Sequence, residues 1–202
     1  MIKRTQGEGN RHGSGMPYMT QEMASILAEI ERETDDPTWA QSIYFSPTAS
    51  TPIRRLSVMG GTIITDTTLV ESGIEPTLLG SHGAKITCFI DDPQVMSLAT
   101  QRRITRAEIA VDYGLALNGP KLMVVGSAPA AINRMIHRRQ REPMSDVCVL
   151  AASTGFASVV QLTERRIASD LTSIVVRGKK GGVPVTITIL NAILREIAKN
   201  EK

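Results

Sequence analysis

The chain has 202 residues, 42% of them hydrophobic but only 3% aromatic, and a formal charge of +3. That length suits one domain, and so few aromatic side chains leave little with which to stack unpaired bases. Lys3, Arg4 and Arg11 against Glu8 contribute +2 of the total, so the remainder is almost neutral and carries no general attraction for nucleic acid or membrane.

Residues 1–19, rich in glycine and basic side chains, show no periodicity and read as a flexible leader, leaving 20–202 as a single α/β domain. From Thr20 the spacing of Met23, Ile26, Leu27 and Ile30 predicts a helix with one apolar face. A short helix is expected from Pro52 to Gly60. Five β-branched runs then alternate with helical segments: Gly61–Thr65, Lys85–Asp91, Lys121–Val125, Asp146–Ala151 and Thr172–Arg177.

Asp92-Pro93 is a cap followed by a first-turn proline, and Thr105 with Glu108 makes a capping box. The last helix, Val183–Ala198, is richer in β-branched residues than helix propensity favours, so it should be held by packing. This order predicts a mostly parallel sheet with helices on both faces, a Rossmann-like three-layer sandwich. Ligands of such sheets bind beyond the carboxyl ends of the strands.

Cys88 and Cys148 lie in apolar runs without metal or redox spacing, as expected of reduced core residues in a cytoplasmic protein. The N-terminus lacks an apolar signal block, and the uncharged stretch from Val147 to Thr163 is too polar to span a membrane.

The basic, glycine-rich turn Arg177-Gly-Lys-Lys-Gly-Gly182 between a strand and a helix suits a carboxylate or phosphate, with Lys179 and Lys180 supplying charge. A solvated loop that merely needs glycines is the alternative. Neither a Walker loop nor a dinucleotide G-x-G-x-x-G occurs. Thr105-Arg106 opens a helix from which Arg106 can hold a carboxylate, or simply pair with a surface acid.

Of the histidines, His12 falls in the leader and His137 in a basic helix end. His82, in Gly80-Ser-His-Gly83 before a strand, is the best-placed proton donor. No metal-ligand spacing and no Ser/His/Asp set emerges.

In order along the chain, Phe45-Ser-Pro47, Ile63-Ile-Thr-Asp66 with Val70 and Gly73-Ile74, Ile104-Thr-Arg106, Gly126-Ser-Ala-Pro129, Gly155-Phe156 and Arg177–Gly182 with Asn191-Ala192 resemble the precorrin-8X methylmutase family, including its cobalt-precorrin-8 branch. The resemblance implies migration of a methyl group from C11 to C12 of a corrin precursor in cobalamin biosynthesis. The methyl is already on the ring, so no external donor, nicotinamide, flavin or resident metal is required, although the substrate itself can carry cobalt. It also implies a homodimer with the site near the subunit boundary.

On this reading Arg106, Lys179 and Lys180 anchor peripheral carboxylates, Thr65, Asp66, Thr105, Gly126, Ala128 and Gly155 shape the pocket, and His82 supplies the proton. The chain departs from the family pattern where a histidine is expected before Phe45-Ser-Pro47. Arg32 stands nearest that place, Ser127 replaces the asparagine of G-N-A-P, and Gln161-Leu-Thr163 replaces E-S-K. Two alternatives therefore stand beside a methylmutase: a relative that binds a corrinoid or other tetrapyrrole without turnover, and an enzyme acting on another anionic small molecule.

Overall fold

A computed structural model describes residues 19–79, 84–153 and 171–199. The first helix, α1 (Gln21–Thr34), begins where Thr20 Oγ1 accepts from the Met23 N–H, and it buries Met23, Ile26, Leu27 and Ile30. Asp35 ends it in the left-handed region, at φ 50°. A single turn, α2 (Trp39–Ser42), leads into β1 (Ile43–Phe45).

The chain continues through α3 (Ser50–Met59), β2 (Thr62–Thr65), α4 (Thr68–Ser72), a 3₁₀ turn (Pro76–Leu79) and β3 (Lys85–Cys88). After these come α5 (Pro93–Arg102), α6 (Arg106–Ala116), β4 (Lys121–Val125), α7 (Pro129–Arg139), β5 (Val147–Ala151), β6 (Ser173–Val176) and α8 (Val183–Lys199).

The six strands form one sheet in the order β1-β6-β5-β4-β2-β3. All neighbouring pairs are parallel except β1 with β6, where Ile43 faces Val176. β4 and β5 are buried at every position, as strands covered on both faces must be. Side-chain alternation divides the core. Ile63, Leu122, Val124, Cys148, Leu150 and Ile174 pack with α1, α3 and α8, while Ile64, Met123, Val125, Val147, Val149 and Val175 pack with α6 and α7. Val95 and Ala99 lay α5 over Ile109 and Ala110 of α6. The α/β sandwich read from the sequence is thus the fold. Met19, counted with the leader, packs half-buried against the α1 layer.

The expected caps are present. Asp92 Oδ1 accepts from the N–H groups of Gln94 and Val95, and Thr105 and Glu108 complete their box. The β-branched last helix is held by close packing, since a Cβ on Gly73 would lie 2.3 Å from Ile187 Cδ1. Asn191 of α8, buried, clamps the same turn: its Nδ2 donates to the Gly73 carbonyl and its Oδ1 accepts from the Glu75 N–H.

Several features differ from the sequence expectations. Strand β1 was not anticipated, because three residues are too few to show a period and its pairing to β6 is non-local. β3 stops at Cys88 instead of reaching Asp91, and α3 starts two residues before Pro52.

Strand order directs attention to one place. From β2 the chain moves outward to β3, then returns to form β4 on the other side of β2, and continues away through β5 and β6. Helix α4 covers one face through Val70, and α6 and α7 cover the other. The order reverses between β2 and β4, which makes their carboxyl ends the crevice where doubly wound sheets bind ligands.

Candidate functional site at the carboxyl edge of the sheet

Asp66 follows β2 directly, and only 6% of it is exposed. Its Oδ2 accepts three successive backbone N–H groups from the turn after β4: Gly126 at 3.1 Å, Ser127 at 2.7 Å and Ala128 at 2.8 Å. The Ser127 hydroxyl adds a fourth, weaker contact at 3.3 Å. Pro129 then opens α7. A carboxylate from another strand therefore stands at the start of α7, where no side chain of the helix provides a cap, and satisfies donors that would otherwise be orphaned. Hydrogen bonds of this charged kind each contribute about 1.5–3 kcal/mol.

Gly126 is needed for a different reason. A Cβ there would come within 2.7 Å of Thr186 Oγ1 and 3.3 Å of Val70 Cγ2, so glycine lets the first turn of α8 rest against the end of β4. Thr65, 1% exposed, is turned inward and donates to the Thr67 carbonyl. Thr65, Asp66, Gly126 and Ala128, singled out separately in the sequence, are brought together here.

The predicted cations lie along the same edge, and two already hold anions. Arg106 Nη1 is 3.0 Å from Asp91 Oδ1 and also donates to the Ile90 carbonyl, with half of its side chain in solvent. The surface ion pair weighed for it is the arrangement found. Thr105 is engaged by its own capping box, its hydroxyl 2.8 Å from Glu108 Oε2.

Lys180 Nζ is 2.6 Å from Asp36 Oδ2, donates to Thr38 Oγ1, and sits 4.5 Å from the centre of the Trp39 ring. Trp39 is itself buried and donates from Nε1 to Thr34 Oγ1. Lys180, followed by the Thr38 hydroxyl and N–H, holds the Asp36 carboxyl down at about 2. Lys179, by contrast, is exposed and has no ion pair among the described residues.

Gly178 and Gly182, at φ 78° and 87°, give the turn its left-handed corners. The Gly182 N–H returns to the Ala152 carbonyl, tying the start of α8 to the end of β5. At that end, Ser153 Oγ is buried and has no hydrogen-bond partner among the described residues.

His82 and Gly155 lie outside the described residues, as do His12, Phe156 and Gln161-Leu162-Thr163. His137 occupies the last turn of α7, which runs away from the carboxyl edge, and is exposed. Arg32 is in the last turn of α1, 68% exposed and bonded to Glu29, which raises its pKa and keeps it protonated. Burial pushes the Cys88 thiol up, and Cys148 to about 12, so neither is an activated nucleophile. Among the described residues no cluster of three or more His, Cys, Asp or Glu could hold a metal, and no helix is long and apolar enough to cross a membrane.

Sequence reasoning had no means of finding Asp36, Thr38, Trp39 and Thr186 as members of this edge. Their partners are roughly 60 to 140 residues away in the chain.

Residues 6–196 match the family described as Precorrin-8X methylmutase. The chain belongs to that family. Among its relatives, a cobalt-precorrin-8 methylmutase of Methanothermobacter thermautotrophicus is 30% identical over 171 residues, covering 84% of this chain and 79% of the relative. One from Salmonella typhimurium is 31% identical over 171 residues, with 84% and 80% covered. A precorrin-8X methylmutase structure from Thermus thermophilus superposes with a TM-score of 0.76 at 22% identity, over 94% of this chain and 93% of that one, and agrees in fold. The Asp66-to-turn contact thus joins two segments that carried the methylmutase resemblance.

Proposed function

We propose that this chain is a precorrin-8X methylmutase-type isomerase, moving a methyl group from C11 to C12 of a corrin precursor in cobalamin biosynthesis. The observation that carries this reading is the union of Thr65-Asp66 with Gly126–Ala128 at the point where the strand order reverses. Those segments, in a chain of this family, form one wall of a ligand crevice.

Migration conserves mass and charge overall: the C11–CH₃ bond breaks as the C12–CH₃ bond forms, and ring double bonds shift to compensate. The protein has two tasks, holding a polycarboxylate ring in one tautomer and supplying a proton to a ring nitrogen. Lys179, which has no ion pair among the described residues, offers its ammonium to a peripheral carboxylate, while the Arg106 guanidinium and the Lys180 ammonium do so by exchanging Asp91 and Asp36 for substrate. His82 remains the proposed donor. A positioned acid contributes about 10²–10⁴-fold. Arg32, protonated and paired with Glu29, is unsuited to that role. The protein is proposed to work in the cytoplasm as a homodimer, on a ring with or without cobalt, with no nucleic-acid or membrane partner and no cofactor.

A second reading is supported by Arg32 itself: a family member that binds a tetrapyrrole without turnover. Anaerobic incubation with precorrin-8X and with its cobalt form, followed by visible spectra and mass analysis, separates the two. Conversion to an isomer of unchanged mass is the expected result. Tight binding without conversion by folded protein would establish the second reading, and no binding of either ring would reject both.

A further inference from the structure

The two oxygens of Asp66 are treated very differently. Oδ2 carries three backbone N–H bonds and the Ser127 hydroxyl, whereas Oδ1 is buried and has no partner among the described residues. The turn of three N–H groups fixes the carboxylate plane, so Oδ1 cannot swing toward one of those donors without releasing them. A buried acceptor left unpaired is costly and calls for an explanation. Its position supplies one: it sits directly after β2, where the strand order reverses against β4.

The chemistry of the missing partner is restricted. An aspartate carboxylate near neutral pH only accepts hydrogen bonds, so the partner must be a donor. The peripheral carboxylates of a corrin precursor are acceptors and would be repelled. The ring nitrogens are the part of that ligand that carries N–H groups.

We propose that Asp66 Oδ1 accepts a hydrogen bond from a ring N–H of the bound macrocycle, making Asp66 a substrate-contact residue that selects the ring tautomer. This rests on the corrinoid reading given above and adds to it the acceptor that holds the ring interior. In a cobalt-containing ring the nitrogens are bound to metal and have no such proton, so the contact acts on the metal-free ring alone.

The test is Asp66→Asn in the full chain, with binding of precorrin-8X and cobalt-precorrin-8 followed by visible titration. The asparagine carbonyl can still accept the three turn N–H groups, while its amide places a donor where Oδ1 stood. Affinity for the metal-free ring should fall roughly tenfold or more beyond any fall for the cobalt ring, the scale of a lost charged hydrogen bond. An equal loss for both rings, or no loss for either, overturns the proposal and leaves the corrinoid reading standing. Failure of the wild-type chain to bind either ring overturns the corrinoid reading itself, and this inference with it.

Should Asp66→Asn not fold, the wild-type complex with ¹⁵N-labelled precorrin-8X answers the same question. A ring N–H proton moved downfield and protected from exchange is expected. A ring N–H exchanging as fast as in the free ligand overturns the proposal.

Discussion

Replacing Gly126 with alanine tests whether the end of β4 and the start of α8 form one rigid unit. The added Cβ would stand 2.7 Å from Thr186 Oγ1, 3.2 Å from Thr186 Cβ and 3.3 Å from Val70 Cγ2. Ordinary contact begins near 3.4 Å, so the hydroxyl must retreat by more than half an ångström. Thr186 has little room to do so, because it is fully buried and its hydroxyl is bonded to the Gly182 carbonyl at 2.8 Å. Moving the helix instead strains the Gly182 N–H bond to Ala152. Overpacking of this kind costs about 1–3 kcal/mol. Thr186→Ala removes the nearest atom together with its hydrogen bond, costing about 1 kcal/mol alone. In the double variant the clash with Oγ1 is gone, so the two costs should fall short of their sum by about 1 kcal/mol, within the range seen for contacting residues. Urea unfolding of the four proteins measures that coupling. Strictly additive costs, or a Gly126→Ala variant as stable as wild type, would refute the close approach of α8 to β4.

Arg106→Ala should change stability by less than about 0.5 kcal/mol, since an exposed pair contributes little, yet weaken corrinoid binding by more than about 1 kcal/mol; unchanged affinity in a visible titration removes Arg106 from the site. The Asp36–Lys180 contact should act on acid stability. With its folded-state pKa lowered from 3.8 to about 2, Asp36 contributes stability that is complete above pH 3.8 and is lost as pH falls toward 2. Melting profiles across that window should therefore slope more steeply for wild type than for Asp36→Asn, and identical slopes would show that the contact is not held in solution. Asn191→Ala strips a buried partner from both the Gly73 carbonyl and the Glu75 N–H, and about 1–3 kcal/mol of stability should go with it in urea unfolding.

The sequence disclosed what is local. Met23, Ile26, Leu27 and Ile30 announced α1 by their spacing, the apolar runs of β4 and β5 announced strands covered on both faces, and Thr105 with Glu108 announced the start of α6. Each depends on neighbours within a turn or two, which periodicity and capping chemistry can report. Ile43–Phe45 gave no such sign, because a three-residue edge strand exists only through β6, more than a hundred residues later. The site divides along the same line. Thr65-Asp66 and Gly126–Ala128 were noticed as strand ends, but the carboxylate that fills the turn was not. The turn after β4 reads in the sequence as an ordinary close turn and helix start, and in the structure its N–H groups hold the carboxylate of Asp66 from the neighbouring strand.

That occupancy changes how ligand binding at this edge has to be counted. The glycine-rich turn Arg177–Gly182 and the start of α6 read as free positive charge, yet Lys180 is held by Asp36 and Thr38 and Arg106 by Asp91. A carboxylate arriving at either cation exchanges one anion for another, so it gains only the difference between two pairs. At Arg106 the existing pair is exposed, 50% and 63% on its two sides, and giving up Asp91 costs little. At Lys180 the pair is less exposed and backed by the Trp39 ring, so exchange costs more. Lys179 has no ion pair among the described residues to give up. On the proposed corrinoid reading, the order in which these three cations would accept a peripheral carboxylate follows from their partners among the described residues: Lys179 first, Arg106 next and Lys180 last. Net charge alone would rank them equally. Lys180 therefore acts chiefly as the tie between the α1–α2 connection and the turn that precedes α8, holding in place the edge on which the other two cations are presented.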